Sequence, residues 1–266
     1  MLIAGILGLA GCTQAPKQAS LLQQNLPLDL PLEQRMTHDQ KQAHKYALIV
    51  CGSNEERFAS HVAMAYAGLQ TMHFLPEHIM ILDAERTQTT YPRDGFASLE
   101  QVRTAMKHLA QIVSPQDTVV LCLLDHGALD YAMERKQSLV LTNGQMNVSE
   151  FSKLLANIHP KYGLLLTDFC YAGAFVEKLP NTFNGISSTI DSEECVPEHA
   201  NSFAWYFFLG AATQEADTNH DGRHTVGELF QYACKKHTWA ANGFTVPLAT
   251  GIPNMQDISL EDPILD

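Results

Sequence analysis

Between residues 46 and 190 short apolar runs alternate with stretches of helical periodicity, and that alternation limits the possible folds more than any other feature of the chain. The runs are Ala47 to Cys51, Ile79 to Leu82, Val119 to Leu124, Gly163 to Thr167 and Gly185 to Ser188. A continuous apolar run of four to six residues, closed by turn residues, marks a strand buried on both faces. Between them Phe58 to His73, Leu99 to Ile112 and Val148 to Ile158 repeat apolar residues at helical spacing. Pro76 and Ser114-Pro115 stop the first two helices, and Asn147 or Ser149 caps the third. Leu139-Val140-Leu141 before Asn143-Gly144 reads as a hairpin element. Repeated βα alternation predicts an α/β fold, a mostly parallel sheet with helices on both faces.

Two of the expected strands run into reactive side chains. The third ends in Asp125-His126-Gly127 and the fourth in Asp168-Phe169-Cys170-Tyr171-Ala172-Gly173. Ligands of open α/β sheets bind beyond the carboxyl ends of the strands, so neighbouring ends would turn His126 and Cys170 toward one site. A thiol needs a base or a positive neighbour to become a strong nucleophile, and an imidazole supplies it. Gly127 permits close backbone approach, and its N–H, with that of Cys170, can face a developing oxyanion. A strand-end Cys is by itself more often packing, and a lone His more often structural. It is the joint pattern that points to chemistry.

These elements resemble those of the clan that holds caspases, legumains, metacaspases and gingipains, over Tyr46 to about Gly210. The legumain family is the nearest in pattern. Leu124-Asp125-His126-Gly127 is similar to its T-D-H-G element, Asp168 to Gly173 to its E-A-C-E-S-G element, and Val50 to Asn54 to its V-A-G-S-N strand end. The resemblance implies a three-layer caspase-like fold with a sheet of about six strands. It also implies a cysteine endopeptidase that cleaves after Asn or a basic residue, with His126, Cys170 and Gly127 at the catalytic centre. Asp168, His61, Ser187 and Ser188 fall on positions that line the family's substrate pocket. Where legumains carry N-Y-R-H, this chain has Phe58-Ala59-Ser60-His61, so the Asn that orients the catalytic His and the pocket Arg are replaced unless Arg57 steps in. That replacement keeps open an inactive caspase-fold scaffold; a transpeptidase working through the same acyl-enzyme is the other variant.

Asp217 to Glu228 fits the twelve-residue EF-hand pattern. Asp217, Asn219, Asp221, Thr225 and Glu228 supply oxygen side chains, Gly222 the turn, and Arg223 a backbone carbonyl, a donor set suited to Ca2+. Thr225 and Glu228 also form a capping box for a helix over Leu229 to His237. No organic cofactor is indicated.

The rest of the chain sets context. Met1 to Ala10 is a small and apolar run ending in Leu9-Ala10-Gly11-Cys12, similar to a bacterial lipobox, although no Lys or Arg precedes it. The expected organisation is a signal peptide at 1–11, lipid on Cys12, a Gln- and Pro-rich tether at 12–45 that could act as a propeptide, and a peptidase domain at 46–266. That places the protein on the bacterial cell envelope, held to membrane only through its lipid. With 29 acidic against 17 basic residues and no basic cluster, nucleic acid is excluded as a partner, and a peptide or protein substrate is expected. Cys51 and Cys122 lie in apolar strands, where a free thiol behaves as a small hydrophobe. Cys195 and Cys234 sit in no motif, and Pro247 to Asp266 reads as a loose tail.

Overall fold

The computed structural model describes residues 43–84, 89–130, 136–177, 179–190, 202–237 and 248–250. Cys12, the tether before residue 43, Cys195 and the tail beyond residue 250 lie outside the described residues. The chain forms β1 (Lys45–Cys51), α1 (Glu56–Thr71), β2 (Ile79–Asp83), β3 (Gly95–Phe96), α2 (Leu99–Ile112) and β4 (Thr118–Leu124). A hairpin region follows with β5 (Gly127–Asp130), β6 (Lys136–Leu141) and β7 (Gly144–Asn147), then α3 (Val148–Leu155) and β8 (Tyr162–Asp168). The remaining elements are α4 (Gly173–Val176), β9 (Phe183–Ser187), α5 (Phe203–Ala212), α6 (Val226–Lys236) and β10 (Leu248–Thr250).

The main sheet has the order β10-β9-β8-β4-β1-β2-β3. Its strands run parallel from β3 to β9, and β10 alone is antiparallel, on the β9 edge. Helices cover both faces, so the layers and the mostly parallel sheet are those expected of a caspase-like arrangement. Alternation along β1 explains the layering. Ala47, Ile49 and Cys51 pack with residues of α1, α5 and α6, while Tyr46, Leu48 and Val50 pack with residues of α2, α3 and α4. Each central strand is therefore apolar on both sides, which is why its sequence reads as an unbroken run. The small sheet β5-β6-β7 is antiparallel, with the 141↔144 pair closing the expected hairpin.

One expectation needs correcting, and one element was not anticipated. Leu248–Thr250 is a strand, not the start of a loose tail. Residues 203–212, FAWYFFLGAA, form a helix that periodicity could not reveal, because it is apolar almost all round. Ser202 caps it, accepting from the Trp205 N–H at 3.2 Å. Among the described residues no helix is long and apolar enough to cross a membrane.

α1 and α5 approach closely at Gly68. A Cβ placed there would lie 2.8 Å from Phe208 Cβ and 3.0 Å from the Phe208 carbonyl oxygen. Alanine normally stabilises an exposed helix by about 1 kcal/mol over glycine. Here the backbone contact reverses the sign, and Gly68→Ala is expected to cost about 1–3 kcal/mol. Urea or thermal unfolding of the variant measures it; a gain in stability would contradict the packing.

Candidate active site

The pairing of β4 with β8 brings the two reactive strand ends together. Its register matches Leu124 with Asp168, so two residues further along each chain stand His126 and Cys170. The chains remain in contact beyond the last rung. The Asp125 N–H reaches the Asp168 carbonyl at 3.4 Å, and a Cβ on Gly127 would fall 1.8 Å from the Cys170 carbonyl oxygen. Only glycine fits there. Gly127 thus allows approach to the main chain of Cys170 itself, a closer partner than the substrate expected from sequence.

Cys170 is half-buried, just beyond the end of β8. The next residue, Tyr171, has φ of 62°, left-handed backbone that a bulky side chain seldom adopts. This sharp exit from the sheet is held by Thr189. The Thr189 hydroxyl donates to the Phe169 carbonyl at 3.0 Å and accepts from the Ala172 N–H at 3.1 Å. Thr189 is held in turn by Ser187, whose hydroxyl donates to the Thr189 carbonyl at 2.6 Å and accepts from its N–H at 3.3 Å. Both residues are fully buried.

The expected pocket residues have varied surroundings. Asp168 is buried, and its Oδ2 accepts from the Ala204 N–H in the first turn of α5 at 2.7 Å. It is thereby engaged with the positive end of a helix, not open to a substrate cation. The Ser187 hydroxyl serves the Thr189 turn. Ser188 Oγ is buried without a hydrogen-bond partner among the described residues, beside Asp168 in the extended β8–β9 register. His61 is buried on α1 with its ring edge-on to Phe58 at 5.6 Å.

His126 has partners that the sequence did not disclose. Nε2 lies 2.7 Å from Glu55 Oε1 and 3.4 Å from Arg57 Nη2, while Glu55 Oε2 accepts from Arg57 Nε at 2.8 Å. Phe58 meets the imidazole edge-to-face at 5.2 Å, and the Arg57 guanidinium lies 4.7 Å over the Phe58 ring. The hydrogen bond to His126, then the charges of Arg57 and His126, outweigh desolvation and hold the Glu55 carboxyl below its ordinary range. Glu55 stands in the loop just before α1 and belongs to no recognisable pattern. Arg57 was the one alternative the sequence offered for the replaced residues.

Asp125, between strand and His126, is a junction. Its carboxylate accepts from the Gly52 N–H at the end of β1 and from the His126 N–H at 2.6 Å. Burial pushes its pKa up to about 6, against these N–H donors, that of Ser53 and the nearby imidazole.

The loop at 217–228 is closed by its own hydrogen bonds. Asp217 Oδ2 accepts from the Gly222 N–H at 2.9 Å, and Asn219 Oδ1 from the Asp221 N–H at 2.9 Å. Glu228 Oε2 takes the Thr225 N–H and hydroxyl, completing the capping box, and Oε1 takes the Thr218 hydroxyl at 2.9 Å. The Arg223 N–H points to Asp221 Oδ1 at 2.9 Å. The donors suit a hard cation, but Glu228 faces these threonines. Among the described residues no three His, Cys, Asp or Glu side chains converge on a metal position.

Burial explains the remaining thiols. Cys51 and Cys122 are fully buried, and Cys122 is pushed well above the ordinary thiol range. Cys234 is raised to about 11 by desolvation. No protein-family model matches the chain, and neither does any curated protein.

Because Asp125 in the fold lies above the unfolded value of about 3.9, its contribution to stability is complete below about pH 4 and is lost as pH rises through about 6. Asp125→Asn cannot titrate. The stability difference between parent and variant should therefore move by about 3 kcal/mol against the parent from pH 4 to pH 7. Denaturant titrations at both pH values check this; a difference constant with pH would rule out a raised Asp125.

Proposed function

We propose that the chain is a cysteine endopeptidase working through His126 and Cys170. One observation carries the reading: the register that matches Leu124 with Asp168 sets the two residues level on adjacent strands, with Gly127 against the Cys170 backbone. Cys122, Cys51 and Cys234 sit in environments that keep a thiol inert, whereas Cys170 stands on a sharp turn past the strand that pairs with the one leading to His126.

In this mechanism His126 takes the Cys170 thiol proton as sulfur attacks the scissile carbonyl carbon. The C=O π electrons move to oxygen, and the N–H groups of Cys170 and Gly127 face the resulting oxyanion. Collapse breaks the C–N bond, and the imidazolium gives its proton to the leaving amine. Water, deprotonated by His126, then attacks the thioester; sulfur leaves, recovers the proton, and the acid product departs. Cys170→Ala is expected to remove peptide cleavage while leaving thermal unfolding unchanged. Acyloxymethyl ketone labels bearing Asn, Arg or Asp before the reactive group should mark the parent at Cys170 alone. Asn and Arg are the preferences proposed from the family resemblance; Asp168, engaged by Ala204, lends the basic one no support. Cleavage by a folded Cys170→Ala protein would sink the mechanism.

Attachment to the envelope through lipid on Cys12 is proposed on the Leu9 to Cys12 motif. Calcium at 217–228 is proposed on the oxygen-donor pattern, with Glu228 as both helix cap and ligand. Millimolar Ca2+ should raise the unfolding temperature of the parent but not of Glu228→Gln, read against a chelator. Equal response in both proteins, or none in either, removes the proposal.

A further inference from the structure

Three residues close a ring with the imidazole of His126. Glu55 holds Nε2 of His126, Arg57 holds the other Glu55 oxygen, Phe58 lies under the Arg57 guanidinium, and Phe58 packs edge-on against His126. An ionised carboxylate only accepts hydrogen bonds. At 2.7 Å Nε2 is therefore the donor, and the 3.4 Å approach of Arg57 to that nitrogen is a neighbouring charge and not a competing hydrogen bond. With the ring proton on Nε2, Nδ1 carries the lone pair of the neutral ring.

Resting on the peptidase reading, we infer that Glu55 is the positioning residue of His126. Its carboxylate selects the Nε2-protonated tautomer, so that Nδ1 exchanges the proton with Cys170, and Arg57 and Phe58 fix the carboxylate and the ring plane. Phe58 thus occupies the position of the family's orienting Asn without performing its task, which passes to Glu55 three residues earlier. The hydrogen bond constrains orientation through direct contact. The charge contributes less, because the His126 and Glu55 side chains are 40% and 48% exposed and Arg57 offsets the carboxylate.

The test reads the thiol directly and needs no substrate. Iodoacetamide alkylation of Cys170, in which the thiolate displaces iodide, is followed by mass spectrometry from pH 5 to pH 9 in parent, Glu55→Gln, Glu55→Leu and Glu56→Gln. Glu55→Leu should lower the rate near pH 6.5 by about tenfold or more and move the profile to higher pH. Glu55→Gln keeps an accepting oxygen and should lose no more than about fivefold, the size of an exposed ion pair. Glu56→Gln should match the parent. Nitrogen-15 spectra of the His126 ring should show the Nε2–H tautomer in the parent and a mixture in Glu55→Leu. Superimposable profiles and an unchanged tautomer in a folded Glu55→Leu protein would overturn the role; if that variant unfolds, the same two readouts on Glu55→Ala, which also removes the acceptor, decide it. Glu55-dependent alkylation in a protein that cleaves no peptide upholds the positioning and removes the peptidase reading instead.

Discussion

The parallel pairing of β4 with β8 is the constraint on which the site depends. Parallel strands share one direction, so their carboxyl ends emerge on one side, and a fixed register decides which residues leave the sheet level with each other. A slip of one residue would turn His126 or Cys170 to the opposite face. That register is held by buried apolar faces on both sides, Val120, Cys122 and Leu124 on one and Val119, Leu121 and Leu123 on the other. Past the last rung the pairing gives way to the Gly127–Cys170 contact, which a side chain on Gly127 would forbid. Core packing and site geometry are one arrangement at that point.

Around this pair the two reactive residues are supported independently. Cys170 is presented by a turn tied to β9 through Thr189 and Ser187, all within the buried layer. His126 is supported from the solvent side by the loop between β1 and α1, through Glu55 and Arg57. The buried support is rigid and dry. The outer one is accessible to water and salt, and so is the place where conditions can act on the histidine.

Much of the fold was legible because its signals are local. Apolar runs marked β1, β2, β4, β8 and β9, and the helix at 99–112 ends before Ser114-Pro115 as expected, with Ser98 as its N-cap. The pairing of His126 with Cys170 was legible because two strand ends carried it together. What escaped depends on tertiary context. α5 lacks an amphipathic stripe, since the sheet, α1 and α6 surround it, and β10 is too short to show a pattern. Glu55 acts across 71 positions of sequence from His126, and a Glu ahead of a helix normally reads as a favourable first-turn charge. Thr189 looked like the residue after a strand; its hydroxyl matters only once Phe169 and Ala172 are beside it. Asp168 was read from its place in a motif, whereas its carboxylate is directed by a helix that the motif does not contain.

That carboxylate joins parts of the chain that a sequence map would draw as separate. The strand leading to Cys170 and the helix starting at Phe203 meet at the Asp168–Ala204 hydrogen bond, and α5 in turn packs on α6, where a Cβ at Gly210 would touch Tyr232 and Leu229. Removing the C-terminal helices would leave a buried carboxylate without its Ala204 donor two residues from Cys170, at a cost of about 1–3 kcal/mol or more. It would also strip away part of the layer that α5 and α6 form with α1 over one face of the sheet. The strand that leads to Cys170 and the helices at 203–212 and 226–236 form one packed unit, and the thiol stands where they are joined.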